Sequence, residues 1–416
     1  MPNPLPSLRS DLDVMPSPLP EQPGLLIRDP FRYSETTLVI PPLLARCLVC
    51  FDGAQDESDL RATLARLTGQ VAVADIAKRL VAALRDAGFL DDDRFAELRA
   101  AREREFAAAA ERTAAHAGSG YPEERPALTR RLRGYFNGTP AGKPRRDAGD
   151  GPAATRGIAA PHVSPEGGSA SYAAAYRALD PADGERVFVV LGTSHYGEPD
   201  RFGLTRKPFA TPFGSARTER TLVDELAAAG GGAVALEDYC HAVEHSVEFQ
   251  VVFLQHLYGP QVRIVPVLCG PFLGGHAGGR PEGRGPEEDE GVARFIGALG
   301  DIAAREGRRL GFVLGVDFAH IGRRYGDGRA ARAHAGPLAA VETRDRARLE
   351  RVAAGDADGF WGLVTEHGDD DLRWCGSSPI YTFLRAVPEA RGRLLGYEHW
   401  NIDEASVVSF GAMAFS

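Results

Sequence analysis

Ala159-Ala160-Pro161-His162 and Leu191-Gly192-Thr193-Ser194-His195 decide how this chain is read. The first closes the apolar segment Gly157-Ile158-Ala159-Ala160, and the second closes the longer run Val187-Phe188-Val189-Val190-Leu191. A short apolar run bounded by Gly, Ser and Pro has the length and composition of a strand buried on both faces. Both runs stop at a histidine. A third run, Phe312-Val313-Leu314-Gly315-Val316, passes straight into Asp317-Phe318-Ala319-His320. Ligands of open α/β sheets gather at the carboxyl ends of strands, so imidazoles delivered there from separate strands predict a metal site.

Outward from these runs, strands and helices alternate. Helical spacing covers residues 172–179, the segment of Leu222 and Leu226 between a Thr218 cap and Gly230, residues 245–258 and residues 292–304. A strand is expected over residues 262–268, and late strands over 394–397 and 407–415. The alternation predicts an α/β fold, a mixed central sheet flanked by helices. Residues 137–156 and 271–291, rich in Gly, Pro and charge without periodicity, are expected to be loops.

The amino-terminal quarter has a different character. Residues 1–22 read as a disordered or draped tail, and residues 23–96 resemble a small winged-helix-like domain of the kind seen in peptide-binding chaperones, with a packing or dimerisation domain without a ligand as the alternative. There, Leu25-Leu26-Ile27 and Thr36-Thr37-Leu38-Val39-Ile40 are strand-like, and Pro41-Pro42 suits a helix start. Asp56 or Ser58 caps a helix carrying Leu60, Leu64 and Leu67 on one face, and Asp75 caps another that Gly88 ends. Residues 97–112, dominated by Ala, Glu and Arg, form a helical connector to an α/β domain over 113–416.

A net charge of −9 over 416 residues excludes a general nucleic-acid surface. The cluster Arg130, Arg131, Arg133 is read as a solvated face. Five cysteines without paired spacing fit a reducing compartment. Cys47 and Cys50, at helical spacing with Leu44 and Leu48, are read as core thiols. With neither a signal-peptide pattern nor a run approaching the ~20 apolar residues of a membrane span, a cytoplasmic protein with no membrane partner is expected.

Several histidines stand beside other donors. His241, Glu244, His245 and Glu248 fall within eight residues. If His245 opens its helix, Glu248 shares its face one turn on. Cys375 precedes Gly376-Ser377-Ser378-Pro379, a helix start that favours a thiolate. Three donors from distant parts of a chain, with room for water, are what a catalytic non-haem iron or zinc site requires. Each residue also has an ordinary role: a strand-end histidine bonding a loop carbonyl, Asp317 as a helix cap, Cys375 as a small buried hydrophobe. Recurrence at three strand ends favours the site. His256, His276, His334, His367 and His399 lack such neighbours and are read as surface or packing residues.

Taken in order, Ala-Pro-His162, Gly-Thr-Ser-His195, Glu244-His245-Ser246-Val247-Glu248, Asp317-Phe318-Ala319-His320 and Cys375-Gly376-Ser377-Ser378-Pro379-Ile380 resemble the Memo family. Its bacterial members are also named protein B of the AmmeMemoRadiSam system. His116-Ala117-Gly118-Ser119 matches as well, and the resemblance runs from about residue 113 to Ser416. Memo proteins are similar to class III extradiol dioxygenases, and the likeness implies that fold around a non-haem iron pocket.

The resemblance implies His162, His195 and Cys375 as metal ligands, Fe(II) foremost, with copper or zinc as other occupants. It implies His320 as acid–base, since imidazoles exchange protons near neutral pH, with Asp317 orienting it. His245 and Glu248 would support the ligands from behind. A thiolate where the dioxygenases carry a carboxylate points away from ring cleavage. Val163-Ser164-Pro165-Glu166-Gly167-Gly168 and Gly120 depart from the animal members, which have Ala-Gly-Tyr and tryptophan there. The expectation is a metal-dependent, dioxygenase-like oxidoreductase acting on a small substrate. Two alternatives stand beside it: a non-catalytic metal- or peptide-binding partner of a radical S-adenosylmethionine enzyme, and a zinc hydrolase using the same pocket.

Overall fold

The computed structural model describes residues 3–138, 155–180, 186–273, 285–334, 338–368 and 370–416. Most of the loop expected over 137–156, and the centre of that over 271–291, lie outside the described residues. The chain divides into two compact units, Met1–Ala109 and Ala110–Ser416.

In the first unit three short strands, β1 (Asp13–Pro16), β2 (Leu25–Arg28) and β3 (Thr37–Ile40), form an antiparallel sheet in that order. Helices α1 (Pro42–Ala45), α2 (Glu57–Thr68), α3 (Ala74–Asp86) and α4 (Asp93–Ala108) follow. Of the two cap candidates for α2, Asp56 is the one that caps, reciprocally with Asp59, whereas Asp75 lies within the first turn of α3 and Val73 occupies its cap. The expected disordered tail is not one. Leu5 is buried, β1 pairs with β2, and buried Arg9 is matched by Asp29 and the carbonyl of Gly88. Prolines mask this in the sequence, because a Pro-rich segment pinned by two leucines and one ion pair has the composition of a linker. The expected connector also moves: α4 begins at Asp93 and belongs to the first unit, where Phe95 lies under the Arg9 guanidinium. Cys47 and Cys50 are core thiols.

The second unit runs α5 (Arg125–Gly138), β4 (Gly157–Ala160), α6 (Ser169–Tyr176), β5 (Val187–Thr193), β6 (Phe202–Leu204), β7 (Phe209–Thr211), β8 (Gly214–Thr218), α7 (Arg220–Gly230) and β9 (Val234–Leu236). It continues through α8 (Cys240–Val243), α9 (Ser246–Tyr258), β10 (Arg263–Cys269), α10 (Glu290–Glu306), β11 (Leu310–Gly315) and β12 (His320–Gly322). It closes with α11 (Leu338–Ala354), α12 (Ala357–Val364), α13 (Ser377–Ala386), β13 (Gly392–Asp403) and β14 (Ser406–Phe415). The sheet order is β12-β14-β4-β11-β5-β10-β6-β9, with β13 on β14 and β8 on β10. Strands β4, β11, β5 and β10 are parallel, and β14, β12, β13 and β6 pair antiparallel. This is the mixed α/β sheet expected. Thr218 does not cap α7; its hydroxyl donates to the carbonyl of Lys207.

Alternate side chains of each central strand point to opposite faces, and the core divides accordingly. Val187, Val189 and Leu191 of β5 join Phe312 and Leu314 against α7, α10, α12 and α13. Phe188 and Val190 join Ile158 and Val313 against α5, α6 and α9. Both faces are covered, which is why these strands read as unbroken apolar runs. The order β4-β11-β5 places the carboxyl ends of three neighbouring parallel strands together. Those ends lead to His162, Asp317 and His195.

Candidate metal centre

His162 follows β4 and is buried; its backbone N–H donates to Asp317 Oδ1 at 3.0 Å, and its Nδ1 lies 2.9 Å from the carbonyl of Gly315. His195 follows β5; its N–H and its Nδ1 lie 2.9 and 3.0 Å from Glu244 Oε2. His245 stands at the cap of α9 with its Nδ1 2.9 Å from Glu244 Oε1. The ring centroids of 162 and 195, 162 and 245, and 195 and 245 are 5.0, 5.1 and 5.1 Å apart, a nearly equilateral triangle. One ligand atom from each of the three lies within 4.8 Å of the others. The sequence reading placed His245 behind the ligands. The structure puts its ring level with theirs.

Cys375, outside the close group of three imidazoles, stands beside it in the loop before α13, its Sγ 3.3 Å from His162 Nε2 and 3.7 Å from the carbonyl of Asp317. That approach depends on Gly376, where a Cβ would meet Val316 Cβ at 2.6 Å and the Asp317 carbonyl at 2.7 Å. Crossed hydrogen bonds tie the loops together. Thr193 Oγ1 donates to the Cys375 carbonyl, Ser246 Oγ to the Thr193 carbonyl, and Gln250 Nε2 to the Pro161 carbonyl.

The charges are mutually supporting. Burial pulls the His162 imidazole down, but Asp317 and Cys375 more than offset it and push it up to about 9. Burial likewise opposes charge on His195, and Glu244 and Cys375 hold it well above the usual imidazole value. Burial raises the Cys375 thiol, yet His162 and His320 bring it well below its usual range. Glu244 is held ionised against burial chiefly by His195. Burial keeps His245 below the ordinary imidazole value, Glu244 only partly opposing it. These directions favour the charged forms of His162 and His195 beside an ionised Cys375 and Glu244, and the neutral form of His245.

Two expected supporting roles are corrected. Glu248 does not reach the histidine triangle. It is fully buried against Arg112, accepts from Tyr121 Oη and takes the backbone N–H of Ala115 and His116. His245 precedes the first turn of α9, so the expected sharing of one helix face does not apply, and the buried guanidinium of Arg112 claims the carboxylate. Asp317 fastens on the His162 backbone, and its other oxygen lies 3.5 Å from that ring. His320 is instead oriented by the carbonyls of Phe318 and Arg373, 2.9 and 3.1 Å from its Nδ1, with Tyr325 packed edge-on at 5.0 Å. It is half-buried. A cleft of about 450 Å³ opens against His195 and Cys375, lined also by Thr193, Ser194, Cys269 and Trp374.

Glu244, the carboxylate shared by two histidines, is the residue whose part sequence reasoning missed, although its adjacency to His245 is the signal. Arg112 and Tyr121 gave none, because their partner lies more than a hundred positions away.

A mixed-sheet α/β protein that gathers histidines and a cysteine at the carboxyl ends of its parallel strands is the class this fold and site define. The chain belongs to the Memo family: the model described as Memo-like protein matches residues 112–414. A MEMO1 family protein of Aquifex aeolicus is 24% identical over 394 residues, covering 94% of this chain and 95% of its own. One from Thermus thermophilus is 28% identical over 318 residues, 76% of this chain and 86% of its own. One from Methanopyrus kandleri is 26% identical and matches over 99% of its length but 73% of this chain, so the remainder here has no counterpart in it. Among the described residues no helix is long and apolar enough to cross a membrane.

Proposed function

We propose that the pocket holds one divalent metal ion, iron(II) in the working protein, through His162, His195 and Cys375, and that it serves oxidoreductase chemistry on a small substrate. The observation that carries this reading is the direction of the ring nitrogens. His162 and His195 commit Nδ1 to a carbonyl or carboxylate, which is how metal-ligating histidines are fixed, and Cys375 sits against Nε2 of His162. Two imidazoles and a thiolate suit iron, copper or zinc, and the soft sulfur disfavours magnesium or calcium. When bound, iron(II) supplies a redox-active Lewis acid with room for a small ligand. The chain's own groups do the rest. The cleft admits a molecule of modest size, Asp317 fixes the backbone from which His162 projects, and His320, held by two carbonyls, is placed to exchange a proton with substrate.

Metal analysis of protein purified without air tests this. Iron near one equivalent in the parent, lost in His162→Ala and in Cys375→Ser, is the expected result; unchanged iron in both variants ends the proposal. A second reading has an observation in its favour, since three convergent imidazoles are also the donor set of hydrolytic zinc. Zinc in the purified protein with no oxygen uptake would select it.

A further inference from the structure

We infer that His245 is a further donor of this metal site and that the Glu244 carboxylate positions two of its imidazoles at once. The inference rests on the metal-holding reading above. Glu244 is 2% exposed. Oε2 accepts from the backbone N–H of His195, Oε1 faces the backbone N–H and Nδ1 of His245, and His195 Nδ1 lies 3.0 and 3.1 Å from the two oxygens. The N–H of Ser246 adds a fifth donor at 3.3 Å. A neutral imidazole carries one proton, and the partner of one nitrogen decides where it sits. An acceptor at Nδ1 fixes the proton there and leaves Nε2 as a lone pair, the form in which imidazole ligates. His162 obeys the same rule through Gly315. All three rings therefore hold Nδ1 on an acceptor, at the corners of a 5 Å triangle.

The sharing has a chemical consequence. Glutamine in place of Glu244 keeps the shape but offers one acceptor oxygen to groups that shared two, and its NH₂ faces N–H donors that the carboxylate accepted from. A ring facing that NH₂ accepts from it only by moving its own proton to Nε2, which removes that lone pair from the centre, while the backbone N–H beside it is left unmatched. Glu244 is thus a positioning residue acting through His195 and His245, and one amide substitution disables one of them.

Zinc(II) is the probe, because it is diamagnetic. In full-length protein with isotope-labelled histidine rings and one equivalent of zinc, long-range proton–nitrogen spectra report which ring nitrogen is protonated. The expected result is Nδ1–H for His162, His195 and His245. Glu244→Gln should bind zinc about 10–100-fold more weakly. Glu248→Gln, an equally buried carboxylate one turn further on that touches none of the three rings, should stay within about threefold of the parent, far from that second-shell loss. An Nε2–H form at His195 or His245 in the parent overturns the inference, as does an equal loss in both variants. Should Glu244→Gln fail to fold, the parent spectra decide alone. A parent that takes up no zinc removes the metal-holding reading, and the inference with it.

Discussion

Glu248→Gln removes the negative charge opposite Arg112, and both side chains are fully buried. Breaking a buried ion pair by deleting one partner costs ~3–5 kcal/mol, because the remaining charge stays out of water. The lower end applies, since Arg112 also donates to the carbonyls of His241, Thr113 and Glu244. In a unit of this size ~3 kcal/mol lowers the melting temperature by ~6 °C. The pH dependence has a definite sign. Burial raises the Glu248 carboxyl, but Arg112, His116 and Tyr121 outweigh it and leave it below its ordinary value of 4.5. A depressed folded value contributes stability that is complete above the unfolded value and lost as pH falls through the folded one. Thermal melts should show the variant less stable near neutral pH, with the gap to the parent narrowing below about pH 4.5 as the parent's contribution is titrated away. A variant melting with the parent at neutral pH, or an acid limb running parallel to the parent's, would refute the reasoning.

Zinc added to metal-free protein near neutral pH should release about two protons, because metal must displace those on His162 and His195 while Cys375 is already a thiolate. Calorimetry in buffers of different ionisation enthalpy measures this, and a release near zero would contradict it. Iodoacetamide should alkylate Cys375 first in mildly acidic buffer, since the four other cysteines are buried and burial raises the thiols of Cys47, Cys240 and Cys269. Bound zinc should protect it; mass spectrometry showing Cys240 or Cys269 modified first would be the contrary result. Gly192→Ala places a Cβ 2.5 Å from Ser246 Oγ and 2.8 Å from Val247 Cγ2, a clash of ~1–3 kcal/mol where β5 meets the start of α9. Gly297→Ala, in open space within α10, should instead stabilise by ~0.5–1 kcal/mol; equal melting temperatures for the two would sink the argument.

Where the sequence was legible, a single physical constraint wrote it. Strands β4, β5 and β11 are covered on both faces, so their apolar runs are unbroken and the polar residue that ends each one stands out. The strands that escaped notice, β6 to β9 and β12, are three to five residues long and too short for any period to show. Helices α11 and α12 escaped for another reason, α11 turning many Ala, Arg and Glu side chains to solvent. Local patterns also cannot show what a distant residue does. Arg112 captures Glu248 across 136 positions, and without that contact the spacing His245-x-x-Glu248 reads as one face of one helix. Leu5, Leu8 and Arg9 tie down a segment whose prolines imply disorder.

The pocket's charged groups find their partners within the protein itself. Buried charges persist only when matched, and here buried His162 lies against Asp317 and Cys375, while the partly exposed ring of His195 lies against the buried carboxylate of Glu244. On the metal-holding reading proposed above, an ion would meet donors already fixed in place, unlike small zinc modules whose ligands have no fixed place until the ion arrives. The rigidity comes from the frame: Asp317 on the His162 backbone, Thr193 on Cys375, Ser246 on Thr193, and Glu244 between His195 and His245. Since each of these bonds joins the end of one element to the start of another, the donors keep their spacing only as long as the parallel order β4-β11-β5 does.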